Sequence, residues 1–186
     1  MRAGTSKSRK YIPIHEIIPT LPQNLSSLCG FHSLTGSDST SYISGHSKMT
    51  CLKVYETYHS LLQNLGEGEL TDDTISNCEK FICRVYGFNE CSSVDSIRVK
   101  LFCRVVAHEK LPPTNDALKF HVKRAHYQAL IWRQADVKLP ELPDVETMGW
   151  AKDNSGELKP VLKSLEAVPD SCKDVIFSVV CQSFVY

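Results

Sequence analysis

The residues best suited to chemistry lie in one run, Phe31-His-Ser-Leu-Thr-Gly-Ser-Asp-Ser-Thr-Ser41. An apolar segment ends at a glycine and an acid follows, which sets Asp38 at the mouth of a buried element. Gly36 permits a sharp backbone turn, and Ser37, Ser39, Thr40 and Ser41 surround the acid with hydroxyls. A carboxylate so placed can hold Mg2+ or Mn2+, hard ions that prefer oxygen and keep several waters. The commoner use of such an aspartate is to cap the following turn by accepting amide hydrogen bonds. His32 stands about one and a half helical turns before Asp38. It is either a metal ligand or, more ordinarily, a hydrogen-bonded histidine that anchors the loop.

A second pattern runs from Thr114 to Arg133. Leu118, Val122, Ala125, Ala129 and Trp132 recur at helical spacing, which puts Lys119, Lys123 and His126 opposite them, with Arg124 and Arg133 flanking. A basic face of this kind can contact phosphates, each contact adding salt-sensitive and sequence-independent affinity. The plainer reading is the solvated side of an amphipathic helix. The remaining histidines carry no clear site. His15-Glu16 lacks the second histidine of a zinc-protease helix, and His121 and His126, five apart, leave a common face. The eight cysteines contain no CxxC pair, and several sit at apolar helical positions, where a reduced thiol packs as a small hydrophobe. Phosphate-binding loops, dinucleotide fingerprints and nucleophile elbows are missing from the sequence.

These residues need elements to position them. Tyr11-Ile-Pro-Ile14 reads as a short strand, with Pro13 suited to an edge, and His15–Leu21 as one or two helical turns. A buried segment over 25–34 leads into the glycine loop. Leu52, Tyr55, Tyr58, Leu62 and Leu65 predict a helix ending at Gly66. Thr71 or Asp72 opens a second helix, Ser93 a third and Thr114 a fourth. From Lys138 onward, prolines at 140, 143, 160 and 169 predict an extended tail, with a turn at Asp153-Asn-Ser-Gly156 and an aromatic anchor at Trp150. The chain thus divides into a loose basic leader (1–9), a helical domain (10–135) and a proline-punctuated tail (136–186).

Composition bounds the partners. Lys plus Arg and Asp plus Glu are both 21 of the 186 residues, so the formal charge is zero and polybasic coating of nucleic acid is excluded. A hydrophobic fraction of 42% is that of a globular chain. No apolar run reaches the roughly 18 residues that cross a bilayer, so no membrane partner is expected. With no apolar signal core near the N-terminus, an intracellular setting, nuclear or cytoplasmic, is the expectation.

Taken together, Arg9-Lys-Tyr-Ile-Pro-Ile-His15, the Phe31–Ser41 run, and Gly45 with Lys48 resemble a mobile-element-associated protein family of animal genomes. That family's signature reads roughly IPIH, then FHALTGCDTTS, then GKGKKxAW. Leu111-Pro-Pro-Thr114, His121-Val-Lys-Arg-Ala125, Tyr127-Gln128 and Trp132 match its later block, and Glu141-Leu-Pro143 with Met148-Gly-Trp150 its closing element. The likeness covers about residues 9 to 175.

The family is in turn similar to PIN and flap-endonuclease (XPG-like) nucleases. The resemblance implies a mostly α chain with a short N-terminal strand: a truncated α/β fold with a helical C-terminal portion. It implies Asp38 as the metal ligand, Gly36 and Ser37 as loop-shaping residues, and Lys48 close to a nucleic-acid phosphate. Lys119, Lys123 and Arg124 would add contacts to DNA or RNA. Two departures limit the activity it implies. The family's other acids sit on strands upstream of the Ile-Pro-Ile-His element, and this sequence lacks the family's cysteine-rich closing region. A two-ion centre needs several carboxylates. The expectation is therefore a catalytically incomplete piece, its missing part supplied by an upstream domain or a protein partner. The alternative is a helical nucleic-acid- or protein-binding module without catalysis.

Overall fold

The computed structural model describes residues 2–5, 8–17, 19, 27–104 and 108–165. The chain is mostly helical. In order it forms β1 (Arg2–Thr5), β2 (Ser8–Tyr11), α1 (Ile14–Ile17), α2 (Leu28–Leu34), α3 (Lys48–Tyr58), α4 (Asp72–Val85), α5 (Val94–Phe102), α6 (Asn115–Arg133), β3 (Trp150–Lys152) and β4 (Leu158–Pro160). Short 3-10 turns at His59–Leu62, His108–Lys110 and Val145–Met148 join them.

Four of the helices begin where hydroxyl residues dictate. Ser47, Thr71, Ser93 and Thr114 each accept the amide hydrogen of the third residue beyond, those of Thr50, Thr74, Ser96 and Ala117. Two carboxylates tie neighbouring starts together: Glu79 accepts from the Val94 amide and Asp95 from the Asn115 amide, both at 2.9 Å. Capping thus fixes the register of α4, α5 and α6 against one another as well as their first turns.

The core lies between α2, α3, α4 and α6. Phe31 lies tilted against Tyr55, ring centroids 4.7 Å apart, and meets Phe81 edge-on at 6.4 Å, the latter a geometry aromatic pairs prefer. Leu34, Leu62, Cys78, Ile82, Ile97 and Val122 fill the space around them and are fully buried. The Tyr55 hydroxyl, carried inside with its ring, is bonded to the Ser27 hydroxyl at 2.8 Å.

Three expectations change at the chain's edges. The basic leader is not loose over Arg2–Thr5, which pairs antiparallel with Ser8–Tyr11, Arg2 opposite Tyr11. Ladder bonds are made by backbone, so composition does not reveal them. The strand ends at Tyr11, and Ile14 opens a helical turn instead, because the Pro13 carbonyl accepts from Glu16 and Ile17 and proline favours the first turn of a helix. Of the helical turns expected on to Leu21, the part beyond Ile17, apart from Pro19, lies outside the described residues. The described part of the tail is folded: β3 and β4 form a hairpin over the turn foreseen at Asp153–Gly156, with the Asp153 carboxylate accepting from the Ser155 and Glu157 amides. The described residues contain no helix long and apolar enough to cross a membrane.

Candidate functional site

The loop after α2 is built almost entirely from its own hydroxyls. Thr35 donates to the Phe31 carbonyl at 2.7 Å, capping the helix end, and Thr40 donates to the Ser33 carbonyl at 2.6 Å. Ser37 and Thr40 exchange backbone bonds and join through their hydroxyls at 2.7 Å. Gly36 turns the chain at φ +111°, where a Cβ would stand 2.8 Å from the Tyr42 Cα. Its loop-shaping role therefore has a steric reason. Asp38 is carried, exposed, at the tip.

Lys48, at the start of α3, closes the loop from the other side. Its ammonium donates to the His32 Nδ1 at 2.6 Å, to the His32 carbonyl at 3.2 Å and to the Gly36 carbonyl. A cation on the last carbonyls of α2 complements the negative end of the helix. Burial pulls the Lys48 pKa below its ordinary value. The His32 pKa is also lowered, first by burial and then by the Lys48 charge, with Asp38 acting in the opposite direction. The His32 ring rests 5.3 Å from Trp132. Lys48 thus fastens the loop, and His32 is an acceptor for it.

α6 holds the loop from behind. His121 Nε2 donates to the Leu34 carbonyl at 2.8 Å, and Gln128 Oε1 accepts from the Ser39 hydroxyl at 2.5 Å. His121, Gln128 and Trp132 therefore form one stripe against α2 and its loop, at spacings of seven and four. The two sequence blocks, some eighty residues apart, become one structure. Spacing puts the three on one side of the helix, but it carries no sign that the glycine loop is what they meet.

The basic face does not survive folding. Arg124 is only 5% exposed, and its Nη1 donates to the carbonyls of Gly149 (3.2 Å) and Val161 (2.5 Å). His126 is fully buried: its Nδ1 accepts from the Gly66 amide at 3.0 Å and its Nε2 donates to the Gly68 carbonyl at 3.2 Å. Lys123 is half-buried, over the Phe120 ring at 5.6 Å, while Lys119 is exposed. Arg133 pairs with Glu67 at 2.8 Å. The cause is tertiary: the Gly66 loop and the tail cover sides of α6 that periodicity assigns to solvent. The tail is fastened again at Asp116, whose carboxylate accepts from the Ser164 hydroxyl and from the amides of Ser164 and Leu165. That set of bonds holds the Asp116 pKa down.

Among the described residues no three His, Cys, Asp or Glu side chains stand together as a metal-holding group. Asp38 is a lone carboxylate with hydroxyls beside it. Such a donor set suits one largely hydrated Mg2+ or Mn2+ and does not make a two-ion centre. No family model, curated protein or solved structure matches the chain.

Proposed function

We propose that this chain is a non-catalytic module of nuclease-like, mobile-element ancestry that presents Asp38 as a single ligand for a hydrated Mg2+ or Mn2+. The observation that carries the reading is the contrast within one loop. Thr35, Ser37, Ser39, Thr40 and Lys48 are all engaged in holding its shape, while the one carboxylate stands exposed at its tip. A rigid loop that offers an oxygen anion is what a weakly held, water-rich ion requires. Hydrolysis of a phosphodiester needs further carboxylates to hold a second ion and orient water; on this reading they come from another domain or chain, and the module alone binds without cutting. The PIN-like fold belongs to the same proposal.

The test is thermal unfolding with and without millimolar Mn2+, on the wild type and on Asp38→Asn. At about 100 times its dissociation constant the ion stabilises by roughly 2.7 kcal/mol, which raises the melting temperature by about 5–10 °C at this size. The variant should melt like the metal-free wild type. Equal responses in the two proteins would refute the role of Asp38. Cleavage of branched DNA by the chain alone, lost in Asp38→Asn, would refute the non-catalytic part.

A second reading, a protein-binding helical module, has one observation in its favour. Tyr42 and Met49 are 77% and 64% exposed, and they adjoin Gly36 and Lys48 on the two sides of the same loop. A cooperative melt indifferent to metal would favour it. Of the basic face on α6, Lys119 stays exposed and Lys123 half-buried, which reduces the phosphate contacts that this face can offer.

A further inference from the structure

A cleft of about 310 Å³ opens between the segment that follows the glycine loop and the N-terminal half of α6. Its walls are apolar, with Ile43, Ile82 and Leu118 at the back and Leu162 of the tail closing one side. The volume is at the lower end of the range of small-molecule sites, and such sites combine apolar walls with few polar groups. Among the lining residues the one permanent charge is Arg124.

Arg124 is an unusual wall for such a cleft. It is 95% withdrawn from solvent, being 5% exposed, and buried arginines are normally paired with an acid. Its bonds to protein are those of Nη1 to the Gly149 and Val161 carbonyls. Neutral acceptors orient a guanidinium without cancelling its charge. No carboxylate pairs with it among the described residues, and burial accordingly lowers its pKa with no acid to oppose the effect. His121, also in the lining, has its Nε2 committed to the Leu34 carbonyl.

We propose that this cleft binds a small organic carboxylate with an aryl or alkyl body, the carboxylate on Arg124 and the body against Ile43, Ile82 and Leu118. The carboxylate supplies the missing counter-charge in a bidentate geometry that guanidinium favours. The body removes apolar wall from water. The site is separate from Asp38 and stands or falls independently of the metal reading. Inorganic phosphate would satisfy the charge but leave the walls wet.

Calorimetric titration of the full chain with 4-phenylbutyrate, 4-phenylbutan-1-ol and inorganic phosphate tests it. The carboxylate should bind at least about tenfold more tightly than the alcohol, the worth of one charged hydrogen-bonded pair. Phosphate should bind more weakly than phenylbutyrate. Arg124→Gln should abolish the preference for the acid. Because Arg124 also holds the tail, Ala117→Met provides an independent arm: it fills the cleft from the half-buried side of α6 without touching the Arg124 bonds. That variant should melt cooperatively and lose phenylbutyrate binding. Equal affinity for acid and alcohol, tighter binding of phosphate, no binding at millimolar phenylbutyrate, or full binding in Ala117→Met would each overturn the proposal.

Discussion

His126 offers the sharpest test of how α6 is held. It is fully buried, and both ring nitrogens are used: Nδ1 accepts the Gly66 amide hydrogen and Nε2 donates to the Gly68 carbonyl. The ring must therefore be neutral with its proton on Nε2. In His126→Phe the volume is kept and both bonds are lost. The Gly66 amide is then a buried donor with no acceptor, at a cost of about 1–3 kcal/mol, and the second bond adds about 0.5–1.5 kcal/mol. The sum, roughly 2–4 kcal/mol, lowers the melting temperature by about 5–15 °C at this chain length. His126→Asn places an oxygen where Nδ1 was and should recover about half of the loss. Urea denaturation of the three proteins measures the differences directly. Asn no better than Phe, or Phe as stable as wild type, would refute the latch. The pH dependence supplies a second readout. Burial lowers the His126 pKa from 6.5, so the folded state disfavours the charged ring. Its contribution is complete above about pH 6.5 and is lost as pH falls from there toward the folded value. His32, His46 and His121 are lowered in the same direction by burial. Wild-type stability should thus decline below pH 6.5, and His126→Asn should show a shallower decline rather than none.

Gly66 and Gly68 both adopt positive φ, but only at Gly66 would a Cβ collide, 2.4 Å from that of Ala129. Gly66→Ala should cost about 2–5 kcal/mol, from backbone strain plus overpacking, whereas Gly68→Ala, with open space around it, should cost about 1–2 kcal/mol; chemical denaturation distinguishes the two. The thiols should react in the order of exposure. Cys103 is exposed, while Cys78 and Cys83 are fully buried with their pKa values pushed up to about 12 by burial. Peptide mapping after brief alkylation of the native protein should find Cys103 modified and Cys78 and Cys83 intact; prompt labelling of either buried thiol would contradict the packing of α4.

The elements that the sequence displayed most clearly are those set by neighbours along the chain. Thr71, Ser93 and Thr114 start their helices as expected because capping is an interaction across three residues and needs no tertiary partner. The apolar stripe Leu118, Val122, Ala125, Ala129 is buried for a related reason, since helical spacing alone puts it on one side. Gly36 also behaves as its place in the loop suggested, with φ at +111°.

What lay beyond the sequence is the other side of α6. A lysine, an arginine and a histidine within four positions read as solvent-facing, because charge predicts exposure when nothing is known to cover it. Here the Gly66 loop covers His126 and the tail covers Arg124, leaving Lys119 exposed. The covering segments are about sixty residues before and twenty-five to thirty-seven after those side chains. Periodicity within one helix carries no information on such distant partners. The sequence alone determined where helices begin and which stripe faces the core. Tertiary structure decided which polar groups are latches, which carboxylate is left free at the tip of a loop, and where an unpaired guanidinium meets an apolar cleft, because each of these depends on contacts that only the folded chain brings together.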